Sequence, residues 1–142
     1  KQIFHTINPD LVITHAPNDY HTDHRSLSSF VVEATDFKCP VLFCDTLLGV
    51  NFLPDFYVDI TKFFNDKIKA IMCHKSQKPE KYVNSVKILN SFRAAQCNHS
   101  NEGYAEAYRW EKKFPFSDIR ALIPPPPKIN PLNYKKNKLK LI

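Results

Sequence analysis

The chain has 142 residues, 43% hydrophobic and 24% charged, the composition of one ordinary globular domain long enough for a single core. Its two glycines, Gly49 and Gly103, exclude a Walker loop and the dinucleotide fingerprint, which need several glycines close together. The net charge of +6 does not mark a nucleic-acid binder: five lysines and no acid fall in residues 121–142, leaving the first 120 residues near neutral, with no stacking motif or recognition helix.

In chain order, residues 10–15 follow Pro9 and are predicted to form a short buried strand, apolar and β-branched. A turn follows at Pro17-Asn18-Asp19. Residues 22–37 then carry Leu27, Phe30, Val31 and Ala34 at 3–4 spacing, which predicts a helix with these side chains on its core face. Val41–Cys44 after Pro40 is a second buried strand and residues 56–60 a third. Thr61 is placed to cap a helix over 62–73, with Phe64, Ile68 and Ile71 or Met72 as its apolar face. A longer helix is expected over 79–96, and Pro124–Pro127 ends the compact part. Short buried strands alternating with helices predict an α/β fold, a mostly parallel sheet flanked by helices. No apolar run approaches the roughly 18 residues of a membrane span. The four cysteines (Cys39, Cys44, Cys73, Cys97) lack zinc-ribbon spacing and fit idle thiols in a reducing cytoplasm, with Cys97 and His99 a weak half-site for metal.

Ligands of open parallel sheets gather beyond the carboxyl ends of the strands. There, directly after the first strand, fall three of the six histidines: His15, His21 and His24. His21 and His24 are three apart at a helix start, so their rings can converge on one point. Asp23 lies between them, where the helix dipole favours a carboxylate. Neutral imidazole is a good zinc ligand, and a carboxylate can fix its tautomer. This is half of a hydrolytic metal site, since catalytic zinc usually takes three protein ligands and a water.

The segment from Pro9 to His15, continued by Asn18-Asp19-Tyr20-His21-Thr22-Asp23-His24-Arg25, resembles the second signature of the PIG-L/LmbE-like zinc-dependent deacetylases. Three further stretches agree in order: Tyr57 to Thr61 before a helix ending in Cys73-His74-Lys75-Ser76-Gln77, then Arg93-Ala94-Ala95-Gln96, then Tyr104 to Arg109. The resemblance runs from about residue 4 to residue 123 and implies a Rossmann-like fold. It implies removal of an acetyl group from an N-acetylglucosamine-type conjugate, with Zn2+ as cofactor. Carried over by position, His24 is a zinc ligand, His21 the histidine that stabilises the tetrahedral intermediate or protonates the leaving amine, and Asp23 its orienting carboxylate. His15, Asp19 and His74 are candidate substrate-side or supporting residues. For each a structural role is open as well: packing for His15, capping for Asp19, and a helix-end position for His74.

The family's earlier Ala-His-Pro-Asp-Asp-Glu motif, which supplies the other ligands and the general base, is absent from these residues. Residues 1–123 are therefore expected to be the C-terminal part of such a domain, and 124–142 a Pro/Lys-rich tail. The missing N-terminal part is an expected partner, and a homo-oligomer is possible. The alternative is a non-catalytic relative that binds a sugar or partner chain. Arg93 and Glu106 fit a structural ion pair or surface charges better than substrate contacts, and Tyr104, Tyr108 and Trp110 fit the core. No nucleophile elbow surrounds Ser26, Ser28 or Ser29.

Overall fold

A computed structural model describes residues 2–36, 38–99, 102–112 and 124. Helix α1 (Gln2–Ile7) leads to strand β1 (Val12–His15), helix α2 (Thr22–Thr35) and strand β2 (Val41–Cys44). Strand β3 (Phe56–Asp59), helix α3 (Phe64–Met72), helix α4 (Glu80–Gln96) and strand β4 (Ala105–Trp110) follow. The strands make one sheet in the order β1-β2-β4-β3. β1 and β2 are parallel, with His15 opposite Cys44. β4 is antiparallel to both of its neighbours, so β1, β2 and β3 point one way and β4 the other. The fold is α/β with a mixed sheet. No helix of the described residues is long and apolar enough to cross a membrane.

The strands form where β-branched and aromatic residues run together, and β2 is the most enclosed: Val41, Leu42 and Phe43 are all buried. On one side Val41, Phe43, Phe52 and Ala107 make a core with Val32 of α2. A second cluster joins Phe64, Ile68 and Ile71 of α3 to Val86 of α4 and to Tyr104. Tyr104 stacks on Phe64 at 3.5 Å between ring centroids, and Trp110 packs against the first cluster, so these aromatics are core as expected.

Two expectations are corrected. Thr61 does not cap α3: it opens a 3-10 turn (Thr61–Phe63), donates its backbone N–H to Asp59 Oδ1 at 2.9 Å, and accepts the Tyr104 N–H on its hydroxyl at 3.0 Å. The Thr61 hydroxyl thereby joins two chain segments instead of starting a helix. In α2 the inward positions are Ser28, Val32 and Thr35, while Leu27 and Phe30 are 48% and 69% exposed. The reason is His24, one turn before Ser28 on the same face. Its contacts at the end of β1 set the rotation of the helix, and Ser28, fully buried, lets the helix come close to the sheet. The boundary near residue 123 and the tail over 124–142 lie outside the described residues, apart from Pro124.

Candidate functional site

Three segments meet at the carboxyl ends of β1 and β2: the turn after His15, the start of α2, and Asp45-Thr46 after β2. Asp19, whose side chain is 2% exposed, lies at their centre. Its Oδ1 accepts the His21 N–H at 2.8 Å and stands 3.1 Å from His24 Nδ1. Its Oδ2 accepts the Thr46 hydroxyl at 2.6 Å. Burial alone would raise the Asp19 carboxyl, but the bonds from His21, Thr46 and His24 more than offset it and hold it below the ordinary carboxylate value. Arg25 clamps the same turn, donating to the carbonyls of Asp19 and Tyr20 at 2.8 and 2.9 Å.

The histidines are brought together. His15 and His24 stack at 3.9 Å with planes 8° apart, and the His21 ring lies 4.7 Å from His24. Tyr20 stands edge-on to both His21 and His24. Burial first, then the neighbouring His24, pushes the His15 pKa down, so His15 packs as a neutral ring beside its partner. His15 Nδ1 is buried without a hydrogen-bond partner among the described residues.

His21 is the N-cap of α2, its Nδ1 accepting the Asp23 N–H at 3.2 Å. Its proton in this arrangement is on Nε2, on a half-exposed side chain. Asp23 meets His21 through its backbone; its carboxylate is 89% exposed and 4.0 Å from His21 Nδ1. The carboxylate that pins a histidine is Asp19, acting on His24. His74 is not gathered into the cluster: it lies in the exposed turn between α3 and α4, where its carbonyl accepts from the Gln77 N–H.

Thr46 and Asp45 are candidate-site residues that sequence reasoning missed. Thr46 lies 27 positions from Asp19, and only the parallel pairing of β1 with β2 joins them. Asp45 in turn binds Arg93, whose guanidinium is 4% exposed and 2.7 Å away. Glu106 is paired separately, with Lys67 at 2.6 Å. Arg93 and Glu106 therefore each have an ion-pair partner, and they do not pair with each other. His99, near Cys97, stands 3.5 Å from Asp59 Oδ2.

The donor set fits part of a zinc site. With Nδ1 tied to Asp19, His24 keeps Nε2 as a lone pair, the arrangement of a metal-ligating imidazole with a carboxylate behind it. No set of three histidine, cysteine, aspartate or glutamate side chains among the described residues converges to hold a metal.

No family model matches the chain, and no curated protein does. Among solved structures, the chain is similar to GalB, the 4-carboxy-2-hydroxymuconate hydratase of Pseudomonas putida KT2440. The two share 21% identity with a TM-score of 0.60, over 77% of this chain and 55% of that one. The likeness is one of fold. This chain spans about half the length of its structural neighbour.

Proposed function

We propose that this chain is the C-terminal part of a zinc-dependent N-deacetylase of the PIG-L/LmbE type, acting on an N-acetylglucosamine-type conjugate. The observation that carries the reading is His24 held by buried Asp19 at the strand ends, its Nε2 free, with His21 beside it. Zinc, when bound, supplies a Lewis acid for an amide carbonyl and for water. His24 would be one of its ligands. His21 offers an Nε2–H, which can stabilise the oxyanion as water adds to the carbonyl carbon. As an imidazolium, with Nδ1 protonated and released from the Asp23 N–H, it can pass the Nε2 proton to the amine as the C–N bond breaks and return to the neutral ring. The general base and the remaining ligands would come from the missing N-terminal part. A Rossmann-like layout follows if that part continues the sheet at β1, an edge strand paired only with β2 among the described residues. Four free cysteines fit a cytoplasmic setting.

A sugar- or partner-binding relative without turnover is the second reading. What favours it is the cap: His21 Nδ1 is already used as an acceptor and Asp23 does not reach it, so the expected carboxylate–histidine pair is not formed.

The test is to read the coding sequence upstream, express the whole protein, and assay acetate release from an N-acetylglucosaminide with and without chelator. Chelator-sensitive release is expected. Zinc-loaded protein with no release of acetate would overturn the enzyme reading. In active protein, His24→Ala should lose stoichiometric zinc. His21→Ala should keep zinc and lose on the order of 10²-fold or more in turnover.

A further inference from the structure

We propose that a hydrogen-bonded relay from Arg93 through Asp45, Thr46 and Asp19 fixes His24 in its Nδ1–H tautomer, with Thr46 as the positioning residue on which that state depends. The metal-binding use of the tautomer rests on the deacetylase reading above; the tautomer itself does not.

Arg93 Nε donates to Asp45 Oδ2 at 2.7 Å, and Asp45 Oδ1 accepts the Thr46 N–H at 2.9 Å. The Thr46 hydroxyl donates to Asp19 Oδ2 at 2.6 Å, and Asp19 Oδ1 faces His24 Nδ1 at 3.1 Å. Both Asp19 oxygens accept, Oδ1 from the His21 N–H and Oδ2 from the Thr46 hydroxyl, as an ionised carboxylate does. Such a group can only accept from His24, so the imidazole proton belongs on Nδ1. Neutral imidazole has two tautomers, and the bond made by one nitrogen decides which is populated. A charge-assisted bond to one nitrogen shifts the ratio by on the order of tenfold or more. Thr46 matters because a buried carboxylate with one oxygen unpartnered turns away to find another donor. Arg93 and Asp45 hold the Thr46 backbone from below, at side-chain exposures of 4% and 6%, so the relay is anchored in the interior.

The tautomer can be read directly by long-range 1H–15N correlation on the 15N-labelled 142-residue chain at a pH where its histidines are neutral. His24 should show a protonated Nδ1 and an unprotonated Nε2. Thr46→Val, nearly the same in volume, should shift the His24 tautomer ratio towards Nε2–H by on the order of tenfold, and Thr46→Ser, which keeps the hydroxyl, should restore it. A merely structural role for Thr46 would change stability in Thr46→Val without moving the tautomer, and that result overturns the proposal. Wild-type His24 found as Nε2–H overturns it as well, even if Thr46→Val does not fold. A protein without deacetylase activity whose His24 is locked as Nδ1–H would instead sink the enzyme reading and leave the relay standing.

Discussion

Gly49 sits at φ +61°, and the Arg93 guanidinium nitrogen lies 2.8 Å from where a Cβ would stand. Leu48 and Asn51 beside it are also left-handed, at φ 78° and 58°, so the turn after β2 bends sharply around a buried cation. Gly49→Ala should therefore cost about 1–3 kcal/mol in urea unfolding, from backbone strain and from contact with Arg93 together. A variant as stable as the wild type would show that the turn relaxes freely. Glu106 ties its charge state to stability. Burial would raise its carboxyl, but Lys67 and the Tyr108 hydroxyl hold it below the ordinary value of 4.5. A lowered folded pKa means that its stabilising contribution is present above about pH 4.5 and is lost as pH falls through the folded value. Asp19 and Asp59 act in the same sense. Urea midpoints should fall as pH drops from about 5 to about 3, and Glu106→Gln should be less stable at neutral pH with a shallower acid decline. An equally steep decline in the variant would place the acid sensitivity at the other carboxylates. At this scale His21, His24 and Asp19 were legible, because they crowd into six residues of sequence. Thr46, Asp45 and Arg93 were not. Their roles arise from strand pairing and from a helix 48 positions beyond Asp45.

Helix α2 shows where period and packing part. Its large apolar residues suggested a core face through Leu27 and Phe30, yet Ser28, Val32 and Thr35 point inward because His24 fixes the rotation. Helix α4 behaves alike. It buries Asn90 and Arg93, which bond to the Ala105 carbonyl and to Asp45, and leaves Ile88 and Phe92 more than half exposed. Apolar periodicity located both helices within a residue or two at most ends, but it cannot report rotation when polar anchors decide it. Helix α3 has no such anchor, and its predicted face of Phe64, Ile68 and Ile71 is the observed one. Ser28→Leu should thus destabilise by about 1–3 kcal/mol through overpacking, whereas Leu27→Ser should change stability by less than about 0.5 kcal/mol. Thermal or urea unfolding separates the two, and the reverse ranking would restore the face predicted from the sequence.

Across the whole molecule, the parallel β1-α2-β2 unit was readable from alternating strand and helix signals, and the reversed β4 was not. Its sequence alternates Ala, Glu and aromatic residues, which says strand but nothing of direction. The same scale shows an open edge and exposed apolar side chains next to it. β1 has no second neighbour among the described residues, Ile13 on it is 55% exposed, and Leu27 and Phe30 of α2 face outward. Free edges and apolar patches invite association. Sedimentation velocity should show the isolated chain associating with rising concentration, and Ile13→Lys combined with Phe30→Glu should shift it towards monomer. A wild type that stays monomeric throughout would mean these surfaces are tolerated in water as they stand.

The place of β4 has a consequence in time. The last strand of the described chain is inserted between β2 and β3, which among the described residues are joined to each other only through it. During synthesis from the N-terminus, β1-α2-β2 can begin to close as soon as residue 44 is free, because the pairing of β1 with β2 lies wholly within it. β3 has no partner strand until residues 105–110 emerge, although residues 56–59 are made long before. A nascent chain halted near residue 100 should therefore protect the amides of β1 and β2 from hydrogen exchange while those of β3 exchange freely. The sheet would then be completed in a single late step, when β4 closes it from the middle.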